Sequence, residues 1–186
     1  MKTILACFAL LVAAGSLHAA ETAPSAKLSQ FTLGAYLAGP KITLADSTGK
    51  AMLIYVWGVK SGEWLANLAD IERISKRYKD KMLVFGANSQ DGTDGEIMEV
   101  VKKYKLTFTV TKFVTSPIAF ATVPHVFVFD TTGVLLFSGK QYASTGTTAN
   151  PEFERALRKA TQGAGGAGAA GGAKPSGLDA LKRPGS

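Results

Sequence analysis

Two apolar runs without alternation, residues 51–56 (Ala-Met-Leu-Ile-Tyr-Val) and 82–88 (Met-Leu-Val-Phe-Gly-Ala-Asn), bracket an amphipathic stretch from Leu65 to Tyr78. A short run that is apolar at every position fits a strand buried on both faces. Between the runs, Trp64, Leu68, Ile71, Ile74 and Tyr78 recur every three or four residues, which predicts a helix with one buried stripe. Strand, helix and strand at this length predict a right-handed parallel crossover. Few folds accommodate such a unit, and all of them cover the sheet on both faces.

The junction at residues 57–64 (Trp-Gly-Val-Lys-Ser-Gly-Glu-Trp) joins the first strand to the helix. Unpaired N–H groups at a fresh helix end suit a nucleophile or an anion. Ser61 is expected to cap the helix, with Glu63 in its first turn.

Downstream, Thr93-Asp94-Gly95-Glu96 is a capping-box pattern opening a second helix. Residues 122–130 and 134–139 flank Thr131-Thr132-Gly133 and predict an antiparallel hairpin. Asn150-Pro151-Glu152 opens a last helix that Gly163 stops. Upstream, residues 41–46 alternate like a strand and run into a Ser-Thr-Gly-Lys turn.

The ends read differently. Lys2, the apolar segment 4–12 and the small residues at 13–20 form a secretory signal, so residues 1–20 are expected to be removed and the protein exported to the periplasm or beyond. No membrane span is expected after that removal, because the apolar run is too short to cross a bilayer. Residues 21–30 are expected as a linker and 31–162 as the folded domain. Residues 163–186 begin with a stretch of only Gly and Ala and are expected to form a disordered tail.

Composition narrows the chemistry. Cys7 is the sole cysteine and would leave with the signal. The processed chain then has no thiol for a disulfide or a thiolate metal site. Two histidines, of which only His125 lies beyond the signal, make a histidine-based zinc site a poor fit. No metal and no cofactor are expected. The formal charge of +7 is scattered, without a basic block or interleaved aromatics, which argues against a nucleic-acid partner.

The element order, with Val56-Trp57, then residues 122–130 (Thr-Val-Pro-His-Val-Phe-Val-Phe-Asp), Gly133 and Gly139, resembles the thioredoxin fold. Within it, the chain is similar to the secreted TlpA-like and redoxin (AhpC/TSA-related) branch, whose members carry Val/Ile-Pro-x-x-Phe-x-Ile-Asp-x-x-Gly at this place. The resemblance covers residues 31–162. It implies an α/β, three-layer sandwich with a mixed central sheet, flanking helices and a cis-Pro turn at Pro124. In relatives that turn faces a Cys-x-x-Cys, and the residue before the proline pairs with an extended substrate.

Here the resemblance breaks at the chemistry. Ser61 and Trp64 stand at the two cysteine positions. Disulfide exchange needs a thiolate, and a serine hydroxyl is far less acidic than a thiol. Ser61 reads as a cap in preference to a nucleophile, and His125 as scaffold in preference to a base paired with Ser61, since a third orienting group and an oxyanion site are missing from the pattern. No catalytic residue is assigned. The resemblance implies that Val123 and Pro124 meet an extended substrate; with Trp57, Lys60, Ser61, Trp64 and His125 they are expected to form a binding surface for a polypeptide or an envelope protein, with simple packing of both tryptophans as an equal alternative. The alternative is an enzyme of the thiol–disulfide oxidoreductase or redoxin type that borrows thiols or uses other chemistry.

Overall fold

The computed structural model describes residues 26–143 and 148–163, without the side chains of Glu63 and Trp64. The expected signal and nearly all of the expected tail lie outside the described residues.

The first apolar run is strand β3 (Ala51–Trp57), and every residue in it is buried. The strands before it are short: β1 (Thr32–Leu33) and β2 (Tyr36–Ala38). The second run is β4 (Met82–Asn88), which pairs in parallel with β3 from Ala51↔Met82 to Trp57↔Asn88. β5 (Thr109–Lys112) extends the sheet in parallel beyond β4, and β6 (Val114–Thr115) pairs with β1 in a separate ribbon. On the other side of β3 comes the hairpin of β7 (His125–Phe129) and β8 (Leu135–Gly139), both antiparallel to their neighbours. The order across the main sheet is β2-β5-β4-β3-β7-β8. The mixed central sheet with flanking helices is therefore present.

Strand alternation divides the core. Leu53, Tyr55 and Trp57 face one way with Val126 and Val128; that side receives Leu68 and Ile71 from α1 (Leu68–Arg77), Ile97 from α2 (Asp94–Tyr104) and Phe153 and Leu157 from α3 (Pro151–Gly163). Two parallel crossovers that step in the same direction across the sheet put α1 and α2 on one face. Met52, Ile54, Val56, Phe127 and Phe129 face the other way, against Leu28 and Phe31. The Phe31 ring stands edge-on to Phe127 and to Phe129, at 5.0 Å from each, the preferred aromatic geometry. This third layer is built from 3₁₀ turns and extended chain.

Several local expectations hold for identifiable reasons. Thr93 caps α2: its Oγ1 accepts the Glu96 N–H at 3.2 Å, and Glu96 Oε2 accepts the Thr93 N–H at 2.7 Å. In the hairpin, Asp130 Oδ1 accepts the N–H groups of Thr132 and Val134, both at 2.9 Å, while Gly133 takes φ +77°, where a side chain is disfavoured. Burial works against the Asp130 carboxylate, but these bonds outweigh it and hold the carboxyl below its ordinary range. Asn150 Oδ1 accepts the Glu152 N–H at 3.0 Å and starts α3.

Three expectations are corrected. Residues 41–46 do not form a strand. Leu44–Ser47 is a 3₁₀ turn, because Asp46 Oδ2 accepts both the Thr43 N–H at 2.6 Å and the Thr43 hydroxyl at 2.8 Å and closes the chain locally. Residues 26–30 are not linker: Ala26 and Leu28 are buried, and the Leu28 N–H donates to the Gly133 carbonyl at 2.8 Å. The helix after β3 does not open as an α-helix at Ser61; Gly62–Asn67 is a 3₁₀ segment and α1 starts at Leu68.

Candidate functional site

The turn between β3 and the 3₁₀ segment is held from β4. Ser61 N–H closes the turn onto the Gly58 carbonyl at 3.0 Å. Asn88, buried at the end of β4, accepts the Val59 N–H on Oδ1 at 3.1 Å and donates from Nδ2 to the Gln90 carbonyl at 2.7 Å. Gln90 Oε1 then accepts the Lys60 N–H at 3.1 Å and the Ser61 hydroxyl at 3.4 Å. The second of these is long for an O–H···O contact, so the Lys60 bond carries more of the ordering. Gly58 leaves room for the Gln90 side chain, since a Cβ at that position would come within 1.9 Å of Gln90 Oε1.

This geometry removes the cap expected of Ser61. Its side chain makes no capping hydrogen bond and turns toward Gln90 instead. The short 3₁₀ segment also has poorer hydrogen-bond geometry than an α-helical turn, so fewer peptide dipoles add at Ser61. Gln90 is an amide and cannot take up the serine proton as a base.

The Val123–Pro124 peptide is cis, as the resemblance implies. Pro124 is buried and Val123 half-buried. Ser89, Gln90 and residues 120–123 line a cleft of ≈ 450 Å³. Gln90 is the shared element: it orders the Lys60–Ser61 turn and forms one wall of the cleft whose other wall holds Val123. Val123 makes no backbone hydrogen bond among the described residues, so its N–H and C=O are unspent.

His125 does not meet Ser61. It opens β7 opposite Val56, its ring stacks on Phe120 at 5.3 Å between centroids, and it lies 4.7 Å from Phe127. Its Nε2 sits 2.9 Å from Ser138 Oγ across the hairpin. Burial lowers its pKa to about 4, so the imidazole is neutral at pH 7. The scaffold reading of His125 fits these contacts, and the Ser61–His125 pair is not formed.

Trp57 leaves the surface. It is 2% exposed and packed in the helix-side core, so it cannot sit at a groove rim. Its position at the end of a strand buried on both faces dictates this. Lys60 is exposed as expected. Glu96 is held below its ordinary pKa by the Thr93 hydrogen bonds, with a smaller contribution from the positive charge of Lys60, so that charge already has an acidic neighbour. The Trp64 side chain lies outside the described residues. Among those residues no three metal-ligating side chains converge, and no helix is long and apolar enough to cross a membrane.

Sequence reading missed Asn88, Gln90 and Phe120 as site residues. Asn88 carried one signal: a polar residue closing an otherwise apolar strand has to spend its amide on something nearby.

No protein-family model matches the chain. It is 25% identical over 126 residues to the thioredoxin-like protein YneN of Bacillus subtilis, an alignment spanning 65% of this chain and 71% of that protein. Among solved structures it is similar to the thioredoxin domain of a thiol-disulfide oxidoreductase from Bacteroides vulgatus, with TM-score 0.56, 12% identity, and 75% and 99% of the two chains covered. It is likewise similar to a secreted Mycobacterium tuberculosis disulfide oxidoreductase, with TM-score 0.52, 16% identity, and 70% and 95% covered. A thiol:disulfide interchange protein from Chlorobium tepidum gives TM-score 0.53 at 16% identity over 74% and 95%. The sheet order, the hairpin after the cis-proline and these similarities together make this a thioredoxin-like fold, with thiol–disulfide oxidoreductases as its structural neighbours.

Proposed function

We propose that this chain is a degenerate member of the secreted TlpA-like and redoxin branch, exported to the cell envelope, which binds extended polypeptide without thiol chemistry. The observation that carries the reading is Ser61. It stands where the resemblance places the attacking cysteine, its hydroxyl is directed to the Gln90 amide, and the chain's sole cysteine is Cys7 in the expected signal. An oxygen at that place cannot form the mixed disulfide on which the inherited reaction depends.

What remains is non-covalent. In this reading the N–H and C=O of Val123, which form no hydrogen bond among the described residues, pair with an incoming strand, the mode in which a peptide extends a sheet or an exposed backbone edge. Phe120 and Val123 offer apolar contact in the cleft, and the Lys60 N–H is bonded to Gln90, which lines it. The signal-like N-terminus supports export, as does the secreted Mycobacterium tuberculosis neighbour.

The test is reduction of insulin by dithiothreitol in the presence of a Cys7→Ser variant, which has no cysteine. The rate should equal that of the protein-free blank. The double substitution Ser61→Cys with Trp64→Cys should raise it above the blank. Turnover by the cysteine-free protein would contradict the reading.

A further inference from the structure

Phe113, between β5 and β6, is unfavourable in two ways at once. Its φ is +56°, in the left-handed region that a side chain disfavours. It is also 52% exposed, more than any other large hydrophobic residue among those described. Among the described residues the other non-glycine with a positive φ is Lys105, which ends α2 and whose N–H returns to the Val101 and Lys102 carbonyls. Phe113 closes no helix. Glycine or asparagine would take up this backbone at less cost and would leave no ring in water.

The frame around Phe113 is fixed by hydrogen bonds. The Lys112 N–H donates to the Ala35 carbonyl at 2.8 Å, the Phe113 N–H donates to the Asn88 carbonyl at 2.8 Å, and the Phe113 carbonyl accepts the Gly34 N–H at 3.2 Å. Gly34 permits this close approach, because a Cβ there would come within 1.8 Å of the Lys112 carbonyl oxygen. Asn88 is also the residue whose side chain orders Val59 and Gln90. Phe113 therefore shares its support with the Lys60–Ser61 turn, and Ser89, the residue after Asn88, lines the cleft. Strain persists where the surrounding structure over-determines it, and it clusters where ligands are held.

Chemistry and position together select the ligand group. The charge next to Phe113 is already neutralised, since Lys112 pairs with Asp94 at 2.5 Å, so an apolar group on the ring meets no uncompensated charge there. Phe113 follows β5 and Val123 precedes β7, with β4 and β3 between them in the sheet. A strand paired with Val123 that runs toward β5 reaches Phe113. Three strand spacings of about 4.8 Å correspond to about four extended residues at roughly 3.3 Å each. Side chains four apart on a strand share one face.

We propose that Phe113 is a specificity-determining contact, which seats an apolar side chain of an extended polypeptide about four positions from the residue held against Phe120 and Val123. This rests on the reading of the Val123 cleft as a peptide site and adds a sequence preference to it.

The test is a ¹⁵N chemical-shift titration of the full chain with blocked twelve-residue peptides of Thr, Ser and Glu that carry two leucines three, four or five positions apart. A spacing of four should bind about tenfold more tightly than the other two, with shifts at both Phe113 and Val123. Phe113→Gly and Phe113→Asn both tolerate the left-handed backbone, so they should melt at or above the parent temperature while losing the tenfold preference. Phe113→Leu should retain part of it. Shifts at Val123 without a spacing preference, or a preference unchanged in Phe113→Gly, would overturn the proposal and leave the cleft reading in place. Absence of shifts at Val123 would overturn both.

Discussion

Ser61 donates its hydroxyl to Gln90 Oε1 at 3.4 Å, and the same oxygen accepts the Lys60 N–H at 3.1 Å. The turn that carries the thiol nucleophile in the resembled family is here tied by a side-chain amide to the wall of the neighbouring cleft. Gln90→Leu should free the Lys60 amide, cost about 1 kcal/mol of stability and weaken peptide binding. Gly58→Ala should act in the same direction, because its methyl group displaces the Gln90 side chain. Faster hydrogen exchange at Lys60 in both variants is the readout.

Lys60→Glu should reduce binding of acidic peptides several-fold while leaving the melting temperature close to that of the parent. The residue is exposed and precedes the 3₁₀ segment, where surface substitutions generally cost within about 0.5 kcal/mol. Fluorescence titration of acidic and basic peptides against both proteins measures it, and the difference should shrink as salt is raised.

His125 predicts a pH dependence. Its folded pKa of about 4 lies below the ordinary 6.5 because of burial. In the unfolded chain it takes up a proton first as pH falls. Its contribution is complete above pH 6.5, declines between 6.5 and about 4, and is lost below. The ring is only half-buried, so screening trims the effect to on the order of 1–2 kcal/mol. Asp46, Glu96 and Asp130, all held below their ordinary range, act at more acidic pH. His125→Phe should flatten the stability curve between pH 6.5 and 4 in urea denaturation, while keeping a ring against Phe120.

Glu72 holds α1 to the chain entering β5. It is 5% exposed and accepts the Thr107 N–H at 2.8 Å and the Thr107 hydroxyl at 2.7 Å, with Lys76 at 3.1 Å. Glu72→Ala leaves those donors without an acceptor and should cost about 2–3 kcal/mol, or roughly 5–10 °C in melting temperature. Glu72→Gln still accepts from Thr107 and should lose about half as much.

The sheet was legible because its strands are buried on both faces, so residues 51–56 and 82–88 lack alternation and cannot be mistaken for surface strands. Thr93 was legible through a side chain that bonds to its own neighbours in sequence. The same kind of local bond misled at residues 41–46, where Asp46 folds back on Thr43 and overrides an alternating pattern. At the site, Ser61 and Pro124 were found by resemblance, but Gln90 was not. Its role depends on a contact across 30 positions in sequence, and a polar residue just past a strand carries no periodicity that marks it. Of the two readings of Trp57, surface and packing, the buried position fits packing, because strand alternation turns the ring into the core.

The most direct measurement is a ¹⁵N chemical-shift titration of the Cys7→Ser protein with extended peptides, run with and without dithiothreitol. The account predicts reversible shifts clustered at Lys60, Ser61, Gln90, Val123 and His125, identical under both conditions, with no peptide disulfide consumed. Shifts absent from that cluster, or binding that depends on the redox state of the peptide, would contradict it.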